Sequence, residues 1–393
     1  MGSAIARARQ VRGGVLAFLA ILVVAGPAFA ARVSLAGFAY SGDAQSIANR
    51  FPYSQRVVAS LGAPGIQGLI RQAVATQPPQ AFELDTGDLA ELKGRDQAIT
   101  VALVMNGETV STEQFGRYSK LFIQLRAQAM FFDFKTMTVL RAYPFSVAYV
   151  DLLDHAPTQD ELASRVRTLY LGAGTTPGIV TRFADALGRA SLPAQVPRFL
   201  QVAQVSVSDE ARKALPAALA TGPGVAETWV ADMLAEAISS RTGVPILPYA
   251  KGYAIGQVMS MRIADGSVYE LKLPEPDYAI AVDLLRFGRF EHARVAAGTS
   301  YIYASKAHIK VQQPLSGRVY LDSEFKNGEV KTVPASQQTV DDFPAYSDSL
   351  RGLFTKLSNV LAGASDPWLK DAAANTDIDK QITATKEVLH LCK

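Results

Sequence analysis

Between Leu121 and Phe131 every second residue is apolar or small (Leu121, Ile123, Leu125, Ala127, Ala129, Phe131), with more polar residues between them. A period of two predicts a strand with one face on a core. The same pattern returns at Tyr301, Tyr303, Ser305, Ala307, Ile309 and Val311, against Lys306, His308 and Lys310, at an offset of 301 − 121 = 180. Each alternating stretch has a helical pattern upstream. Ile66, Leu69, Ile70, Ala73 and Val74 lie at i, i+3, i+4, i+7 and i+8, and Val230, Met233, Leu234, Ala237 and Ile238 repeat that spacing. Such spacing is one apolar stripe of an amphipathic helix. Pro78-Pro79 stops the first helix and Gly243 with Pro245 the second, since proline lacks the amide hydrogen and clashes with the preceding turn.

Between helix and alternating strand lies a further match. "DQAITVALV" (Asp96 to Val104) and "DYAIAVDLL" (Asp277 to Leu285) share five of nine positions at an offset of 277 − 96 = 181. A match that short is expected by chance, so the ordered neighbours carry the argument. Turns follow at Asp133 to Thr136 and Gln313 to Gly317, then third strands in which Val139 matches Val319 and Phe145 matches Phe325. Helical patterns close the halves at Asp160 to Gly172 and Ser347 to Gly363, and short strands open them at Arg32 to Ala39 and Phe199 to Val207. The predicted fold is α+β: two tandem duplicated domains, each a small, mainly antiparallel sheet with packed helices, plus a C-terminal helix. The first domain is placed at residues 31–172, a helical linker at 173–198, the second domain at 199–363 and a helical tail at 364–393. A hairpin, Gln257 to Leu273 with Asp265-Gly266 as its turn, is read as an insertion in the second half.

The order strand, helix, strand, strand, turn, strand resembles the periplasmic domain shared by the TolB amino-terminal region and the CsgG family. "PDYAIAV" (Pro276 to Val282) is similar to that domain's Ala-Asp-Tyr strand, and "FFDFKTMTVL" (Phe131 to Leu140) and "VQQPLSGRVY" (Val311 to Tyr320) to its later hairpin. Ala281-Val282 stands where the family has glycine, and no propeller repeat follows. The resemblance implies envelope work through protein–protein contacts.

The first thirty residues read as a cleavable signal peptide: Arg7, Arg9 and Arg12, then an apolar run from Val15 to Val24, then Ala28-Phe29-Ala30. The run is shorter than the ~20 residues of a membrane-spanning helix. A mature chain beginning at Ala31 in a bacterial periplasm is expected, and no cysteine follows to make it a lipoprotein. The 39 basic residues, less Arg7, Arg9 and Arg12, leave 36 against 36 acidic ones, so a nucleic-acid partner is not expected. Cys392, the sole cysteine, excludes an internal disulfide.

Catalytic motifs are missing from the chain. His155, His292, His308 and His390 are scattered, there is no H-x-x-x-H or C-x-x-C pair, and neither a G-x-S-x-G elbow nor a phosphate loop occurs. "GAGTTPG" (Gly172 to Gly178) follows a helical pattern and reads as a boundary. Glu83, Asp85, Asp88 and Glu91 lack the ligand series of a calcium loop, and Asp151 and Asp154 read as a loop leading into a helix. Catalytic residues, metal and cofactor are therefore expected to be none. Three segments set proline among aromatics before serine, and they nominate Phe51, Tyr53, Tyr143, Phe145, Phe343 and Tyr346 as a partner-binding rim; the alternative is aromatics packing on their own core. In the tail Ile378, Ile382, Thr385, Leu389 and Cys392 form a helical seam. Ile378, Ile382 and Leu389 would dock on the second domain, bind a partner helix, or pair two chains.

These readings predict a periplasmic accessory protein acting by association with envelope proteins, with peripheral membrane association and homodimerisation as further expectations. The alternative is a small-ligand-binding protein or hydrolase that uses the cleft between the domains.

Overall fold

The computed structural model describes residues 31–42, 44–87, 98–115, 117–192, 197–254, 257–263, 266–335 and 340–393. The expected signal segment and Asp88, Glu91, Asp96 and Asp265 lie outside the described residues. The first half runs β1 (Arg32–Ser41), α1 (Ala44–Arg50), α2 (Pro52–Ser60), α3 (Gly65–Thr76), β2 (Glu83–Asp85), β3 (Ile99–Phe115), β4 (Tyr118–Asp133), β5 (Thr138–Leu153), α4 (Gln159–Leu171) and α5 (Ile179–Arg189). The second runs β6 (Leu200–Val207), α6 (Asp209–Arg212), α7 (Ala217–Ala220), α8 (Val225–Thr242), α9 (Ala250–Tyr253), β7 (Val258–Ile263) and β8 (Val268–Lys272). It continues through β9 (Tyr278–Val295), β10 (Gly298–Gln313), β11 (Arg318–Pro334), α10 (Phe343–Leu361), α11 (Trp368–Ala372) and α12 (Ile378–Leu391).

The alternating stretches are strands and the striped ones are helices; the fold is α+β. Local chemistry fixes several ends. Thr158 and Glu161 form a reciprocal capping box at the start of α4, satisfying backbone N–H groups that the helix cannot. Gly243, at φ 73°, ends α8 in the left-handed conformation that glycine adopts without steric cost.

Both sheets share one connectivity. In the first, β1 pairs parallel with β3, which pairs antiparallel with β4 and then β5. In the second, β6 pairs parallel with β9, then β10 and β11 follow antiparallel. Their bulges recur too. Asn106 is the extra residue between β3 and β4, and Leu285 is the extra one between β9 and β10, 285 − 106 = 179 positions later. Leu140 and Tyr320 are the extra residues before β5 and β11 settle into register, 320 − 140 = 180 apart. A bulge is a local, inherited feature of a pairing, so matching positions argue for one unit used twice. The bulges also correct the nine-residue alignment: its offset of 181 is two residues out, a slip that preserves which side chains face inward.

The inserted hairpin sits elsewhere than the sequence order suggests. β7 and β8 join the first sheet: β7 runs antiparallel to the end of β1 and β8 meets β5 at Thr138, so the strand order closes on itself. Their alternating Met259, Met261, Ile263 and Leu271 are buried with Ala39, Ala102, Val104, Met130 and Phe132 from the sheet's second face. The first face carries Leu103, Leu125 and Phe131 against α3, α4 and α5, and the last of these fills part of the expected linker with buried Ile179, Phe183 and Leu187. Helix α8 lies between both sheets, in contact with β5 on one side and with β6 and α10 on others, which buries nearly its whole circumference. Residues Ala31–Lys393 form one compact unit. Among the described residues, no helix is long and apolar enough to cross a membrane.

Candidate functional site

The aromatic residues singled out in the sequence do not gather at one rim. Phe51 is fully buried and, with Tyr143 and Phe145, belongs to the core beneath α2 to α5. Phe343 belongs to the other core, packed on Trp229 and Phe122. Tyr143 donates its hydroxyl to the Ser191 carbonyl at 3.2 Å. Tyr346 is half-buried, stacked on Phe287 and edge-on to Tyr303. Tyr53 is half-buried and donates to Gln159 at 2.9 Å. In the tail, Ile378, Ile382 and Leu389 are buried at 3, 3 and 4% exposure, with α12 seated on β11 and α10. Cys392 is buried beside them, and burial pushes its thiol up to about 12.

The site that the fold builds is a groove of about 1170 Å³. One wall is α2 and the start of α4, with Pro52, Tyr53, Pro157 and Leu162. The facing wall is the α7–α8 turn and α9, with Leu219, Val225, Lys251 and Tyr253. Between them runs β3 from Gly107 to Thr112. Gly107, Glu108, Thr109 and Val110 all line the groove although consecutive side chains on a strand point to opposite faces; the strand therefore presents its edge.

Charged groups form the floor. Arg126 on β4 donates to Asp232 on α8 at 2.9 Å, both largely buried, and Tyr253 donates to the same carboxylate. Burial pushes the Asp232 carboxyl up, and the Arg126 guanidinium and the Tyr253 hydroxyl pull it back only in part. Arg50 bonds the carbonyls of Ser41 and Asn106 and lies over the rings of Phe51 and Tyr253. Glu108 accepts from the backbone N–H of Tyr53 at 3.0 Å and of Ser54 at 2.7 Å, capping α2 from another element. Burial raises the Glu108 carboxyl despite those bonds, and Glu108 in turn helps burial to raise the Tyr40 hydroxyl behind it.

Of the sequence-nominated residues Tyr53 lines the groove, whereas the charged residues of its floor did not stand out in the sequence. Gln124, Arg126 and Gln128 occupy the polar positions of the alternating β4 pattern, which reads as a solvent face, yet Gln124 and Gln128 are 3 and 1% exposed; Arg126 bonds Asp232 of α8, and Gln128 lies beside Asp232 and Ala235 of the same helix. Nothing local announces that contact.

Two histidines contact carboxylates, and both engage them through both ring nitrogens. His155 lies between Asp154 and Glu161, and His308 between Asp283 and Asp322. Neither ring has a nitrogen left to accept a proton from a nucleophile. Among the described residues, no group of three His, Cys, Asp or Glu side chains is arranged to hold a metal ion.

No protein-family model and no curated protein matches the chain. Among solved structures it is similar to a Xanthomonas campestris protein of the DUF330 family, with 16% identity over 44% of this chain and 87% of that one, at a TM-score of 0.21. It is also similar to a minor lipoprotein from Acinetobacter baumannii, with 9% identity over 46% of this chain and 99% of that one, at a TM-score of 0.20. Neither description names TolB or CsgG.

Proposed function

We propose that the protein is an exported accessory protein of the bacterial cell envelope that works by association, with the groove beside β3 as its contact site for a partner protein. The observation that carries this reading is the groove itself: about 1170 Å³, lined by apolar side chains together with Arg50, Glu108, Arg126, Lys251 and Glu270. Small-molecule sites enclose roughly 300–1,000 Å³ and bury most of their ligand. A larger, open groove suits a segment of polypeptide. The sequence supports the cellular setting, through the basic, apolar and small-residue order of residues 1–30. The hydrolase reading is the weaker one, because His155 and His308 are held on both sides by carboxylates.

Two exposed positions in the groove test the proposal, Thr112→Trp and Lys251→Glu, against the distant Val330→Ser. After cross-linking in living cells, the groove variants lose the co-purifying envelope partner while melting as the parent does, and Val330→Ser keeps it. A partner retained by both groove variants, or lost with Val330→Ser alone, contradicts the assignment.

A further inference from the structure

The edge of β3 in the groove has no strand beside it. From Ile99 to Met105 the strand is bonded on both sides, to β1 and to β4. β1 then ends at Ser41, and Gly42, at φ 113°, turns the chain away toward α1. From Gly107 to Thr112, β4 continues to pair with β3, while the opposite edge meets no strand among the described residues. No backbone bond from those residues to another loop or side chain is found there among the described residues either. An exposed edge is a row of alternating N–H and C=O groups, the feature that natural proteins cover or blunt unless it is used. Here it is lined up along a groove instead.

We infer that an extended segment of the partner binds by adding a strand to β3 along Gly107–Thr112, with an acidic group at the Gly107 end. This rests on the groove being the association site. Main-chain bonds supply the attachment in strand addition, and pockets for alternate side chains supply selectivity. Exposed Pro52 and half-buried Pro157 and Val225 offer apolar surface in the groove's lining. The acidic preference follows from charge: Arg50, bonded to the Asn106 carbonyl, stands beside Gly107, and Lys251 lines the same groove. Arg126 and Asp232 neutralise each other, Glu108 is bonded to the start of α2, and Glu270 is the remaining carboxylate of the lining. Lys251 is exposed and lies on the wall that an incoming carboxylate would meet.

The test begins with a benzophenone amino acid at position 112 of the full exported chain, irradiated in cells, and the cross-linked partner segment read by mass spectrometry. That segment is made as a synthetic peptide together with two N-methylated forms, one methylated at odd and the other at even residues. An added strand bonds through alternate residues only, so one methylated form binds the mature protein at least tenfold more weakly and the other within about threefold of the parent. Lys251→Glu weakens the parent peptide severalfold, and replacing the peptide's acidic residue by its amide removes that difference. If both methylated forms bind like the parent, the segment docks by side chains: strand addition fails and the groove assignment stands. If position 112 cross-links nothing while a benzophenone at position 330 captures the partner, the groove assignment itself fails.

Discussion

At the scale of single residues, the groove depends on charges held away from water. Arg126 and Asp232 compensate each other, and a buried pair broken on one side leaves an uncompensated charge. Arg126→Met is predicted to destabilise the protein by about 3–5 kcal/mol, read by urea unfolding. Adding Asp232→Leu to that variant removes the stranded carboxylate and restores most of the loss; a double variant no better than the single one would show that the pair is not what Arg126 serves. His308 gives a pH signature. Burial pulls its ring pKa down, but the bonds to Asp322 and Asp283 outweigh that, so the folded value stands above the ordinary 6.5. The stabilisation is thus complete below pH 6.5 and is lost as pH rises through the higher folded value. The ring is partly exposed, so the effect is about 1 kcal/mol or less. His308→Gln should flatten the unfolding free energy over that window, and an unchanged slope would place the titration elsewhere. These roles were not legible in the sequence. Glu108 caps a helix that begins at Pro52, 108 − 52 = 56 positions earlier in the chain, and nothing in the residues around either one records that meeting.

At the scale of elements, much more was legible. Periods of two and 3.6 placed the two long helices, the alternating strands and the closing helices, because each buries one stripe or one face. Where a second surface arrived from far along the chain, the local pattern could not record it. Arg126 and Gln128 in the polar row of β4 meet α8, and the hairpin β7–β8 closes the first sheet although it lies within the second half of the sequence. The tail is a simpler case. Its seam of Ile378, Ile382 and Leu389 is buried on β11 and α10, so Leu389→Ala should cost about 2 kcal/mol or more in thermal or urea unfolding. A cost near zero would mean that α12 leaves this seat in solution.

At the scale of the whole molecule, one strand–helix–three-strand unit is used twice, with its bulges kept, and the two copies are joined by a shared helix and a closed sheet. Where β1 ends short of its neighbour, a strand edge is left open within a groove among the described residues, and that is where we propose that a partner binds. The long strands β9, β10 and β11 offer the rival surface: Phe290 and Val330, each more than half exposed, lie across Ile302 from one another. Hydrogen–deuterium exchange on the mature protein, alone and with its cross-link-identified partner, separates the two directly. Strand addition in the groove predicts slowed exchange at residues 107–112, together with the groove walls at 52–53 and 251–254, and no change at 288–302 or 326–334. Protection confined to those outer strands, with 107–112 exchanging as before, would contradict it.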